Sequence, residues 1–338
     1  MVVIGIDPHK GSHTAVAIDE DETKLDEVRV RADRRQFEAL KTWASAFPKR
    51  SWAIESANGL GALLSQQLVG AGEEVFDVPP TLSSRVRVLA SGKSQKNDPN
   101  DAFSVAIAAL RSSRLRVVVV EDHIAVLRLL WNRHKNLTSL HTQAVCRLHA
   151  LLAGMVPGGL PRRLSADRAS ALLSGSRART AVEKARKAQA HDLIGDVRRL
   201  DAQLKASKRT IVEALSSVPT GLGELSGVGP VATCIILAHT GDIRRFASQD
   251  DYASYNGTAP IDASSGPRKR HRLNPRGNRQ LNHAMHIIAF SQLSHPGPGR
   301  DYYERKVAEG KSQKEAVRSL KRQISNVVYR QLVADSQR

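Results

Sequence analysis

Cysteine is almost absent, with only Cys146 and Cys234 among 338 residues. That excludes a disulfide framework and a cysteine-rich zinc site. Both thiols fall inside apolar helical patterns and are expected to be small buried hydrophobes. No run of about 18 apolar residues occurs, which excludes a membrane-spanning helix. The N-terminus, MVVIGIDPHK, lacks a basic segment followed by an apolar stretch and a cleavage site, so a cytoplasmic location is expected. Aromatic residues make up 4%, too few for an RNA surface built on stacked bases. Acidic residues are scarce towards the C-terminus, where residues 266–338 hold 5 of them against 16 basic ones.

Positive charge is what the chain has in excess. Its 51 Lys and Arg against 33 Asp and Glu give a net +18. Residues 1–110 carry a net −2 and residues 111–265 a net +9, so an N-terminal part with its own carboxylates precedes a basic remainder. Such a field favours a polyanion, bound largely through counterion release. No basic amphipathic segment with exposed aromatics points to a membrane surface instead. Nucleic acid is the expected partner. The apolar fraction of 41% is enough for a sizeable core, and the length suits about two domains.

The first 110 residues alternate strand and helix signals. Strands are expected at VVIGID (2–7), TAVAID (14–19), 25–30, SWAIE (51–55) and 74–78, and helices at 35–46, 60–69 and 98–110. Pro79-Pro80 reads as a break. Asp98 suits an N-cap and Pro99 the first helical position. The order describes an antiparallel meander feeding a crossover sheet. Two later stretches carry apolar residues at alternating spacings of three and four: Leu127 to Leu151, and Leu193 to Ile211. Separated by a Gly/Pro/Ser-containing segment (154–176), they predict an antiparallel hairpin or coiled coil. His134 and His141 lie on its seam as packing histidines, with no carboxylate at matching spacing. From about 217 the chain reads as helical with loops. It ends in a helix, 311–333, whose stripe of Val317, Leu320, Ile324, Val327/Val328 and Leu332 is interleaved with Arg318, Lys321, Arg322 and Arg330.

Three motifs carry chemistry. Asp7 and Glu55 each close a strand, and Asp98 and Asp101, three apart in KNDPNDA, share a helix face. Carboxylates brought together repel and need a cation; all-oxygen ligation suits Mg²⁺ or Mn²⁺, which can activate a nucleophile and stabilise a leaving oxygen at a phosphodiester. Singly, each acid is as well explained by a cap or a turn. The second motif, LSGVGPVATCIILAHTGDI (225–243), places Gly227 and Gly229 before an apolar helix, the pattern of a helix-hairpin-helix that grips a phosphate through backbone N–H groups. A plain tight turn has the same pattern. The third is YNGTAPIDASSGPRKRHRLNPRGNRQLNHAMH, with Ser264-Ser265-Gly266 followed by Arg268, Lys269, Arg270, Arg272, Arg276 and Arg279. A serine beside several guanidiniums can attack a phosphodiester, and a basic loop can equally just touch phosphate.

In this order and spacing, GIDPHKGSHTAVAID, AIES, KNDPNDA, LSGVGPVATCIILA and the serine–arginine block resemble the DEDD transposases of bacterial insertion sequences, a group with the pilin-gene invertases and bridge-RNA-guided recombinases. The resemblance spans nearly the whole chain. It implies an α/β RNase H-like (RuvC-like) catalytic domain over 1–112, a helical coiled-coil connector over 121–216, and a mostly α C-terminal transposase domain with a helix-hairpin-helix over 217–338. It implies that Asp7, Glu55, Asp98 and Asp101 hold Mg²⁺, with Mn²⁺ as a substitute. It implies that Ser265, which directly precedes Gly266, becomes covalently joined to DNA, with Ser264 as the neighbouring alternative. Gly227, Gly229 and the six basic residues from Arg268 to Arg279 would contact nucleic acid. The implied partners are donor and target DNA, a structured noncoding guide RNA, and further copies of the chain in a dimer that pairs into a tetramer, in the bacterial cytoplasm at the nucleoid. Three other readings fit parts of the sequence. One is a metal-dependent Holliday-junction resolvase or nuclease using water. Another is a non-catalytic DNA-architectural protein. The third is an actin-like ATPase, disfavoured by the missing second Gly-rich phosphate loop.

Overall fold

The computed structural model describes residues 1–91, 97–112, 115–262, 271–272, 274 and 277–337, with the backbone alone at 89–91, 262 and 271–272. The chain divides into two units, Met1–Glu121 and Asp122–Arg338.

The first unit is a mixed sheet between helices. Its strands are β1 (Val2–Pro8), β2 (Ser12–Ile18), β3 (Lys24–Arg31), β4 (Arg50–Glu55), β5 (Val75–Val78) and β6 (Arg116–Val117), in the spatial order β3-β2-β1-β4-β5-β6. β2 runs antiparallel to β1 and β3, β4 runs parallel to β1, and β5 parallel to β4. The meander and crossovers expected from the sequence are therefore present. Helices α1 (Gln36–Ala44), α2 (Ala62–Gly70), α3 (Pro80–Ser91) and α4 (Asp98–Arg111) complete the unit.

Period-two alternation gives the sheet two apolar faces. Ile4, Ile6, Trp52 and Ile54 join Leu40, Leu64 and Leu68 in one core, and Val3 and Ala53 join Val105 and Ala106 of α4 in the other. By the same alternation Gly5, Asp7 and Glu55 face α4. Gly5 lets that helix approach: a Cβ there would lie 2.2 Å from the Ala102 carbonyl oxygen and 2.5 Å from the Ala106 nitrogen. The structure departs from expectation at three points. The break at Pro79-Pro80 does end β5 at Val78, but it also opens an unexpected helix, α3, because proline is tolerated in a first helical turn. The cap of α4 is Asn97, whose side chain accepts from the Asn100 N–H, so Asp98 is the first residue of the helix and Pro99 the second. The short β6 carried too few residues to register as a pattern.

The second unit is helical. Its long helices α5 (His123–Ala153) and α7 (Ala181–Leu215) run antiparallel, as the cross-contacts His134 Nδ1 to Ser207 Oγ at 3.2 Å and His141 Nε2 to Asp201 Oδ1 at 3.1 Å require. The second contact corrects the sequence reading of His141, for a carboxylate does face it from the partner helix. The segment between them is no plain linker. It holds α6 (Ala166–Ser174), capped by Ser165, whose Ala169 and Leu173 pack with Leu148, Leu152, Ala190 and Ile194. Cys146 is exposed, unlike Cys234, since it lies about 200° round α5 from buried Ala144. Beyond α7 come α8 (Pro230–Thr240), α9 (Gln249–Tyr255), the pair β7 (Ile261–Asp262) and β8 (His271–Arg272), α10 (Arg279–Leu293), α11 (Pro298–Ala308) and α12 (Gln313–Asp335). Helices α8, α9, α10 and α12 share one core with Leu127 and Trp131 at the start of α5 and Ile211 near the end of α7, and Tyr302 and Tyr303 of α11 pack against it. Among the described residues no helix is long and apolar enough to cross a membrane.

Candidate active site

The acidic cluster is assembled by β1, β4 and α4. Ile6 and Ile54 are register partners in adjacent parallel strands, so Asp7 and Glu55, one residue further on, leave the sheet side by side at its carboxyl edge. β4 ends there because Ser56 takes a left-handed conformation (φ 51°), braced by its N–H donating to the Val78 carbonyl, while Asp77 accepts from the Ala57 N–H and the Asn58 amide. The first turn of α4 brings Asp98 and Asp101 to the same place. Asp7, His9, Glu55, Ser83, Arg87 and Asp101 are among the residues lining a cavity of about 270 Å³. Asp98 reaches it through His9, whose Nε2 lies 3.1 Å from Asp7 Oδ2 and 3.4 Å from Asp98 Oδ1.

Asp7 is the most enclosed member, at 5% exposure. Burial pushes its carboxyl up to about 6; the nearby His9 opposes this, and the charges of Glu55, Asp101 and Asp98 add to it. Among the described residues its Oδ2 accepts no hydrogen bond of good geometry, and its one close polar neighbour is His9 Nε2 at 3.1 Å. A buried carboxylate oxygen placed in this way, pressed by three further acids, is a poor arrangement for the protein alone and a good one around a divalent cation. Asp7, His9 and Asp98 present ligand atoms within 4.8 Å of one another. These three residues therefore fit a metal ion, and Glu55 and Asp101 are not in this set.

Three participants were not evident in the sequence. His9 lies just past the end of β1, where the strand's alternation no longer applies. Ser83, whose hydroxyl donates to Glu55 Oε1, and Arg87, paired with Asp101, both come from α3, which the proline pair concealed.

In the second unit, Gly227 (φ 77°) lies against α10: an added Cβ would meet Gln292 Cγ at 2.9 Å and the Ile288 carbonyl oxygen at 3.1 Å, and the Gln292 amide donates to the Ser226 carbonyl at 2.7 Å. Gly229 is the N-cap of α8, with open space at its Cβ and Pro230 following. The element before the turn is a single 3₁₀ turn, Leu222–Glu224. Ser264, Ser265, Arg268, Lys269, Arg270 and Arg276 lie outside the described residues, as does the side chain of Arg272. Arg279 is exposed at the start of α10, a helix capped by Asn278.

Two family models match in tandem: the DEDD transposase model of the IS110 group over residues 4–157, and the IS116/IS110/IS902 family transposase model over residues 220–304. This chain belongs to the IS110/IS116/IS902 transposase family. Its activity is that of a DNA transposase or recombinase. The first match contains all four acids; the second contains both glycines and the serine–arginine segment. A 44.8 kDa protein of insertion element IS116 from Streptomyces clavuligerus is 28% identical, with 97% of this transposase and 94% of that protein covered. A 42 kDa protein of IS900 from Mycobacterium paratuberculosis is 27% identical over 97% and 94% of the two chains. A 43.6 kDa protein of IS110 from Streptomyces coelicolor is 27% identical over 98% and 94%. Among solved structures, RuvC from T. thermophilus in complex with a Holliday-junction substrate is 16% identical and covers 35% of this transposase and 99% of its own chain, with a TM-score of 0.29.

Proposed function

We propose that this transposase exchanges DNA strands through a covalent serine–DNA intermediate, with Mg²⁺ held by Asp7, Glu55, Asp98 and Asp101 and with donor and target chosen by a structured noncoding RNA. The observation that carries the metal-dependent part is the convergence of Asp7, Glu55 and Asp101 on one cavity, with Asp98 joined to the buried Asp7 through His9. A divalent cation there would neutralise the carboxylates and stabilise the charge that develops on a phosphodiester. Asp7 and Glu55, fixed by adjacent strands, supply rigid oxygen donors. Asp98 and Asp101 supply the others, and His9, Ser83 and Arg87 between them contact all four acids.

The serine step is read from the segment that matches the family. The Ser265 hydroxyl attacks phosphorus, its oxygen forms the new P–O bond, and the bond to the departing deoxyribose oxygen breaks. The serine proton is lost and the departing oxygen gains one. The phosphodiester energy stays in the phosphoserine link, so rejoining to another strand needs no further energy source. Arg268, Lys269, Arg270, Arg272, Arg276 and Arg279 balance phosphate charge, and the turn at Gly229 with the free N–H groups of α8 adds a sequence-independent contact. Exchange of ends between copies requires at least a dimer, and we propose pairing of dimers into a tetramer. The excess of positive charge beyond residue 110 and the low aromatic content suit a protein that grips DNA and RNA by backbone and shape.

The test is to express the protein with its flanking DNA, mix it with labelled donor and target DNA and Mg²⁺, denature it, and follow label that moves with protein. An adduct lost in Ser265→Ala and kept in Ser264→Ala is expected. Cleaved ends without an adduct would transfer the reading to a resolvase-like enzyme using water.

A further inference from the structure

Lys321 is 7% exposed in the middle of α12, where its neighbours Leu320 and Ile324 are core residues. A lysine buried this far normally has a carboxylate partner, because an uncompensated charge is costly. Among the described residues none pairs with it. Burial lowers its ammonium to about 8. The titratable groups that feel its charge are His283 and His286 on α10, both held below the usual histidine range, first by burial and then by neighbouring positive charge.

Its described hydrogen bond leads towards the serine segment. Lys321 Nζ donates to Asn282 Oδ1 at 2.6 Å, and Asn282 Nδ2 donates to the carbonyls of Asn256 at 3.1 Å and Gly257 at 3.0 Å. Asn256 in turn donates through Nδ2 to Ser325 Oγ, one turn along α12, and accepts from the N–H and hydroxyl of Thr258. Gly277 approaches Gly257 so closely that an added Cβ would lie 2.4 Å from the Gly257 Cα. The Asn278 N–H donates to the Tyr255 carbonyl at 2.6 Å. Residues 255–258 and 277–282 are thus joined side by side, and the chain between them pairs as β7 with β8, Ile261 opposite Arg272 and Asp262 opposite His271. Residues 263–270, with Ser264 and Ser265, connect those two strands.

An asparagine amide can bind with its oxygen and nitrogen exchanged. An ammonium only donates, so Lys321 accepts one orientation alone: Oδ1 towards the lysine and Nδ2 towards the two carbonyls. A buried charge retained in a core stripe at the expense of stability marks a function. We infer that Lys321 is a positioning residue for strand exchange: it fixes Asn282, and Asn282 clasps the chain entering the serine segment to the helix that leaves it. The inference rests on the proposed serine chemistry.

The test compares wild type, Lys321→Met and Lys321→Gln for the rate of adduct formation, the affinity for DNA and Tm. Lys321→Met is expected to slow adduct formation about 30-fold or more, as a misplaced nucleophile does, while DNA affinity stays within about threefold and Tm is unchanged or raised. Lys321→Gln, which can still donate to Asn282, should recover most of that rate, and it carries the comparison if the methionine variant fails to fold. Adduct formation at the wild-type rate in Lys321→Met would overturn the inference. So would a fall in Tm and DNA affinity that tracks the loss of rate, since Lys321 would then only stabilise the fold. If wild type transfers strands without any adduct, the serine reading fails by itself; strand-transfer rate becomes the readout, and equal rates in Lys321→Met and wild type would then overturn the positioning role.

Discussion

Asp7 holds the least comfortable charge in the first unit. Its carboxyl is raised from 3.8 to about 6, mainly by burial and also by three acids. In cation-free protein the folded state keeps a proton between those two values that the unfolded chain has released. Stability from this group therefore falls as pH rises from about 4 to about 6, and the penalty persists above that. At 1.36 kcal/mol per unit it amounts to about 3 kcal/mol. Asp7→Asn is accordingly expected to raise the stability of cation-free protein at pH 8 by up to about 3 kcal/mol while abolishing strand transfer. Denaturant unfolding in a chelator checks this, and a lower stability than wild type would contradict it. At this scale Asp7 and Glu55 could be read from sequence because each closes an apolar strand. His9 and Lys321 could not. A histidine after a turn proline looks solvated, and a lysine within a basic helix looks like one more solvated cation until the helix is packed.

Among elements, long periodic segments were the most legible. The hairpin of α5 and α7, the meander and the crossovers all follow from apolar spacing, because burial of one face decides them. What stayed hidden depended on local exceptions. α3 begins at a proline that a first turn tolerates, and it brings Ser83 and Arg87 to the acids. α6 is a short capped helix inside a stretch composed like a linker. Cys146 shows the limit of averaging over a helix: its neighbours Ala144 and Leu148 are buried, yet its own angle round the axis faces outward. Thiol titration of native protein should find one fast-reacting cysteine per chain, Cys146. Cys234 is buried, with its thiol pushed up to about 11, and should react only on unfolding. Two fast thiols would mean that the α5–α8 contact opens readily.

For the whole molecule, charge segregation and chemistry agree. The near-neutral first unit carries the four acids of the candidate site, and the strongly basic remainder carries the serine–arginine segment. The two family models divide the same way. Composition could show this division because it averages over many residues. The convergence of Asp7, Glu55, Asp98 and Asp101 could only be expected, since it depends on Gly5 admitting α4 against β1. The most direct measurement is strand transfer by Asp7→Ala, Glu55→Ala, Asp98→Ala and Asp101→Ala, each with DNA binding measured in parallel. All four are expected to lose Mg²⁺-dependent transfer while still binding DNA. Transfer at the wild-type rate by Asp7→Ala would contradict that expectation.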